Sequence, residues 1–140
     1  MTSSTKHAPT DIRLHRKSGI LELKFDDGGI YSLPAEFLRV YSPSAEVRGH
    51  GPGQEILQTG KKDVRIENIE AVGNYAVRLH FDDDHNTGIY SWEYLRDLCL
   101  NQANLWDNYL ARLKKAGARR EKLPSDVQVV NIMPINDSGN

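Results

Sequence analysis

The chain contains an echo of itself, and that echo narrows the folds open to it. Residues 20–39 read ILELKFDDGGIYSLPAEFLR, and residues 75–98 read YAVRLHFDDDHNTGIYSWEYLRDL. Leu21-Glu22-Leu23-Lys24-Phe25-Asp26-Asp27 shares its pattern with Val77-Arg78-Leu79-His80-Phe81-Asp82-Asp83. Gly29-Ile30-Tyr31-Ser32 returns letter for letter as Gly88-Ile89-Tyr90-Ser91, and each copy then reaches Leu-Arg. Side chains alternate across a strand, so Leu21, Leu23 and Phe25 share one face, as do Tyr75, Val77, Leu79 and Phe81. An acidic turn, a short second strand and a helical pattern follow in each copy. A stacked solenoid needs three or more repeats. Two copies imply two similar hairpin-plus-helix units packed on one core.

The flanking segments complete an α+β domain. Residues 1–11 are polar and without periodicity, and are expected to form a loose arm. From Ile12 the pattern has period two, and Lys17-Ser18-Gly19 supplies a turn. Pro34 suits the first position of a helix, where its missing N–H is no loss. Phe37, Leu38 and Tyr41 have helical spacing, and Ser42-Pro43 ends that helix. Residues 43–63 are the least regular part. Val64 and Ile66 begin another strand, and Gly73-Asn74 predicts a two-residue hairpin turn. Ser91 is a good N-cap, with Glu93 in the first turn. Trp92, Leu95, Cys99, Trp106, Tyr109 and Leu113 form one stripe, weakened at residues 101–104, where a break is expected. Gly117 closes the helical segment. The expected organisation is an arm over 1–11, one domain over 12–116 and a mostly flexible tail over 117–140. A mainly antiparallel twisted sheet should pack against helices near 34–41 and 91–116. The tail carries a short apolar run, Val127–Met133, that could add to a sheet edge.

Bulk properties close off several functions. A chain of 140 residues fits one domain, and a net charge of −1 gives no global signature of polyanion binding. The single cysteine, Cys99, rules out an internal disulfide framework and a multi-cysteine zinc site. No apolar run approaches the roughly 20 residues that cross a bilayer, and MTSSTKHAPTD lacks the apolar core of a secretory signal. The expectation is a soluble, cytoplasmic protein with no membrane contact.

Several local patterns resemble sites and then depart from them. His80-Phe81-Asp82 has the H-x-D form of an iron facial triad, but only His85 follows, three residues later. Asp82, Asp84 and Asn86 alternate as in a calcium loop, with Glu93 eleven residues after Asp82; Thr87 stands where that loop needs glycine. Gly49-His50-Gly51-Pro52-Gly53 fails the phosphate-loop spacing. Arg112, Lys114, Lys115, Arg119, Arg120 and Lys122 crowd a helix end, which suits the helix dipole. No RNP, zinc-finger or helix-turn-helix pattern supports nucleic-acid binding. No serine lies in a G-x-S-x-G elbow, and Cys99 sits on the apolar stripe as a core thiol.

The stretch FDDDHNTGIYSWEYL, together with FDDGGIYSLPAEFLRVYSPS and the loop GHGPGQ, resembles the small N-terminal domain of gamma-butyrobetaine hydroxylase and trimethyllysine hydroxylase. It is similar above all to bacterial proteins built from that domain alone. The resemblance spans roughly residues 12–116. In the hydroxylases this domain holds a structural zinc through three cysteines and a later histidine, and the resemblance places those ligands at Ser42, Ser44, Val47 and His85. Three of the four are therefore replaced, and a thiolate zinc site cannot form. The iron- and 2-oxoglutarate-binding jelly-roll of the hydroxylases is also missing, so their catalysis does not carry over. Related domains occur fused to iron–sulfur cluster carrier ATPases, which fits an accessory role.

The leading expectation is a non-catalytic accessory or protein-interaction module, with no catalytic residue assigned. The alternative is a metal-binding protein, zinc or iron, using His85 with Asp82, Asp84 or His50, and linked to iron–sulfur or redox metabolism. A third reading is a subunit that acts only in a complex, including a homodimer.

Overall fold

The computed structural model describes residues 8–123 and 126. The echo is realised as two three-stranded antiparallel sheets. The first is ordered β1(Pro9–His15), β2(Ile20–Phe25), β3(Ile30–Pro34), and the second β4(Ile66–Val72), β5(Ala76–Phe81), β6(Ile89–Ser91). Each sheet runs into a helix, α1(Ala35–Val40) after the first and α3(Trp92–Leu100) after the second. The α+β class holds, with the expected sheet divided in two.

Both sheets turn their apolar faces to one core. Leu21, Leu23, Phe25 and Leu33 meet Ile66, Val77, Leu79, Phe81 and Tyr90, with Phe37 and Leu38 from α1 and Leu95, Leu98 and Cys99 from α3. The period-two pattern thus did its work: the alternate residues Glu22, Lys24, Arg78 and His80 stay partly exposed. A smaller cluster of Val40, Tyr109 and Leu113 lets α4(Gln102–Ala116) rest on the back of α1.

The helix boundaries follow local chemistry. Ser91 caps α3 by accepting the Tyr94 N–H. The expected break falls at Asn101, which ends α3 and starts α4. Gly117 stops α4 in the left-handed region, at φ 65°. Pro34 is the N-cap of α1 with extended backbone, one position before the helical place expected for it.

Other expectations are corrected. β1 begins at Pro9, so residues 9–11, assigned to the arm, already pair with β2. The irregular stretch contains a short helix, α2(Ala45–Arg48), capped by Ser44, whose hydroxyl accepts the Glu46 N–H. The β4–β5 turn takes in Gly73, Asn74 and Tyr75, so Tyr75 lies outside the strand and is 57 % exposed. Trp92 and Trp106 are only half-buried. Beyond Gly117 the chain at first stays attached: Gly60 and Lys62 donate N–H bonds to the Arg119 and Arg120 carbonyls, and Arg120 pairs with the buried Glu36. The Val127–Met133 run lies outside the described residues. No helix among the described residues is long and apolar enough to cross a membrane.

Candidate functional site

The two units are joined crosswise at their acidic turns. Arg39, on α1 of the first unit, reaches Asp83 in the turn of the second, with Nε 2.9 Å from Oδ2. Arg96, on α3 of the second unit, pairs with Asp27 in the turn of the first. Burial alone would raise the Asp83 carboxyl; the Lys61 hydrogen bond and the Arg39 charge outweigh it and hold the carboxyl below the usual range. Arg39 also donates to Gln58 Oε1 at 3.0 Å.

Beside Asp83 the second turn folds inward and carries His85 into the protein. His85 is 3 % exposed, enclosed where the turn meets the α1–α2 junction. Its Nδ1 lies 2.9 Å from Glu46 Oε1 on α2, and its Nε2 lies 2.8 Å from Ser42 Oγ. A carboxylate can only accept, so Nδ1–H donates to Glu46 and Nε2 accepts the Ser42 O–H. Ser42 Oγ in turn accepts the Ser44 N–H at 3.2 Å, and the Ser44 and Thr87 hydroxyls lie 2.7 Å apart. Burial holds the His85 imidazole below its ordinary pKa, helped by the Arg39 charge and opposed by Glu46.

The four positions at which the resemblance puts the hydroxylases' zinc ligands lie close together. Ser42, Ser44 and His85 form a hydrogen-bonded cluster, and Val47 shares a small cavity wall with Ser42. The donor set does not fit a thiolate zinc centre. Two hydroxyls and an isopropyl group stand where thiolates would be needed, and the His85 nitrogens are engaged by Ser42 and Glu46. The other candidate ligands lie apart from this cluster. Asp82 Oδ1 accepts the Arg65 N–H, Asp84 is exposed at φ 66°, and His50 is exposed beside an open groove with Pro43, Arg48 and Glu55. Among the described residues no group of three or more His, Cys, Asp or Glu is placed to hold a metal ion. The H-x-D pair is divided as well, since His80 Nε2 meets Glu70 at 3.1 Å. Burial pushes the Cys99 thiol up to about 12, so it is inert at neutral pH.

Sequence reasoning missed Glu46 and the hydroxyl–imidazole–carboxylate order of Ser42, His85 and Glu46. The available signal was Ser44-Ala45-Glu46, a helix start whose second turn residue is acidic; nothing local links it to a turn some forty residues later. That order is the one used in hydrolytic triads, but a nucleophile must come within about 3 Å of its target. Ser42 is 1 % exposed, and a Cβ added to Gly88 would collide with its Oγ. The relay acts as a lock between turn and helix.

This arrangement sits in a chain whose residues 12–96 match the family described as gamma-butyrobetaine hydroxylase-like, N-terminal, and the chain belongs to that family. Two structures determined by solution NMR resemble it closely. One is 52 % identical, covers 94 % of this chain and 98 % of its own, and superposes with a TM-score of 0.73. The other is 44 % identical, with coverages of 90 % and 99 % and a TM-score of 0.75. A crystal structure of a protein of unknown function from Acidithiobacillus ferrooxidans, assigned to the DUF971 family, is 40 % identical. It covers 70 % of this chain and 97 % of its own, with a TM-score of 0.55. No curated protein matches the chain. The family match stops within α3, so α4 lies beyond the matched segment.

Proposed function

We propose that the protein is a non-catalytic accessory module that acts through contacts with another protein, in the cytoplasm. One observation carries the reading: the relay built on the family's ligand positions is sealed, with Ser42 buried and its hydroxyl committed to His85. Contact through protein surfaces is supported by Ile30 and Ile89, which occupy the same place in the two echoes and are both exposed. Isolated apolar side chains at a surface are ordinary; matched ones on two short edge strands are a basis for pairing with another chain.

The test has two arms. In the first, untagged protein purified without chelators is assayed for ester hydrolysis and for bound metal, beside Ser42→Ala and His85→Ala. The expected result is no saturable turnover above the variants and no stoichiometric metal. Turnover lost in Ser42→Ala, or metal lost in His85→Ala, overturns the reading. In the second arm, crosslinks formed inside the cell are mapped to residues. Links from β3 or β6 to one partner, removed by Ile30→Asp or Ile89→Asp, support it. Sedimentation at high concentration decides whether that partner is a second copy.

A further inference from the structure

A small cavity of about 180 Å³ opens between the α1–α2 junction, α3 and α4. Val40, Val47 and Ile56 give it an apolar wall, and Tyr41 and Tyr94 give it aromatic faces. Its charged groups are Arg48, Arg112 and Glu55. The Arg48 guanidinium lies 5.8 Å from the centre of the Tyr94 ring, and the Arg112 guanidinium 5.8 Å from that of Tyr41. Stacking of this kind leaves the edge N–H groups of an arginine free to bind an acceptor. Among the described residues no carboxylate lies within ion-pair distance of either guanidinium. Among the described residues Arg112 Nε is shut off from solvent and has no acceptor, so an oxyanion entering the cavity meets the terminal nitrogens of the guanidinium, which can hold it by charge-assisted hydrogen bonds.

We infer that this cavity binds a small monocarboxylate with an apolar body. The volume is below the roughly 300 Å³ at which pockets for drug-sized ligands begin. Two arginines and one glutamate leave a single positive charge, which a monoanion balances and a dianionic phosphate exceeds. The apolar wall favours a carbon skeleton over an inorganic ion, and the planar fork of Arg112 matches a carboxylate. This site goes beyond the accessory role: binding without turnover leaves that role standing, and loss of binding does not touch it.

The probes are benzoate, its neutral counterpart benzamide, and inorganic phosphate, titrated into isotope-labelled protein and followed by NMR. Benzoate should saturate in the millimolar range, with shifts concentrated at Val47, Arg48, Ile56 and Tyr94. Benzamide and phosphate should bind at least about tenfold more weakly, the factor expected for one charge-assisted hydrogen bond. Arg112→Gln should weaken benzoate about tenfold, and Arg112→Lys less. Glu55→Gln, at an exposed position, should tighten it severalfold by removing the opposing charge. Should Arg112→Gln unfold, the exposed Arg48→Gln takes its place with the same expected direction. Equal binding of benzamide and benzoate, tighter binding of phosphate, shifts centred elsewhere, or no saturation by about 50 mM overturns the inference.

Discussion

The two units begin from one script and end in different states. In the first, β2 and β3 are joined by residues 26–29; in the second, β5 and β6 are joined by residues 82–88. The short turn stays outside and touches α3 through Asp27. The longer one is held by Arg39 and Lys61, bends in, and buries His85 against Ser42. The matched tyrosines diverge with their turns. Tyr90 is wholly buried and donates to the Leu38 carbonyl at 2.5 Å, whereas Tyr31 is half-buried, beneath the Arg96 guanidinium. Three extra residues converted a surface turn into an internal lock. The strand pair keeps its pattern across such an insertion because one face is buried, and a one-residue slip would turn the apolar side chains out of the core.

The sharpest way to break the comparison is to truncate both tyrosines. Tyr90→Ala should cost about 4 kcal/mol and Tyr31→Ala about 1 kcal/mol, in line with full against partial burial of a large ring. Urea unfolding of the two variants measures the gap, and equal costs would mean that the units are packed alike. Next come the crossed arginines. Arg39→Ala removes a buried side chain that bridges Asp83 and Gln58, while Lys61 still holds Asp83, and should cost about 2 kcal/mol. Arg96→Ala, at the more open turn, should cost about 1 kcal/mol, mostly from packing on the Phe25 ring.

The lock also gives the second unit its own pH dependence. Folding lowers the His85 pKa from the ordinary 6.5, so the folded state binds fewer protons than the unfolded one near that pH. The resulting stability is fully present above about 6.5 and is lost as pH falls through it toward the folded pKa. Asp83, also lowered, contributes stability that is present above its ordinary 3.8 and lost at lower pH. Melting temperature followed from pH 8 to 5 should fall for the native chain and flatten in His85→Gln. The smallest effect concerns the helix starts. Ser91→Ala removes a cap from α3 and should cost about 1 kcal/mol. Pro34→Ala at the uncapped start of α1 should cost a few tenths, as a thermal melt of each will report.

How much of this was written in the sequence depends on the range of the interaction. Leu21, Leu23, Phe25 and their counterparts announced two strands because period two is a local property. Ser91, Gly117 and the weak stretch at 101–104 announced helix ends for the same reason. Asn101 shows the limit of that clarity, since it marks both the end of one helix and the start of the next. Tyr75 fits the strand pattern and yet falls in the turn, because a three-residue connection needs it there. The site was legible only in part. The family resemblance singled out Ser42 and His85, which lie 2.8 Å apart. It offered no hint of Glu46, which enters through α2, a helix of four residues too short to show periodicity. Asp82, Asp84 and His50 have the right chemistry for a metal, but Asp82 accepts the Arg65 N–H, and Asp84 and His50 are exposed away from the buried cluster.

The crossed pairs, Arg39 with Asp83 and Arg96 with Asp27, have the reciprocity of an isologous contact, in which residue i of one copy meets j of the other and j meets i. Here both partners belong to one polypeptide. An association between separate copies dissolves on dilution, because its strength depends on the concentration of free partners. Joined by residues 41–65, the two halves face each other at a fixed effective concentration. Their union is therefore indifferent to how much of the protein a cell makes.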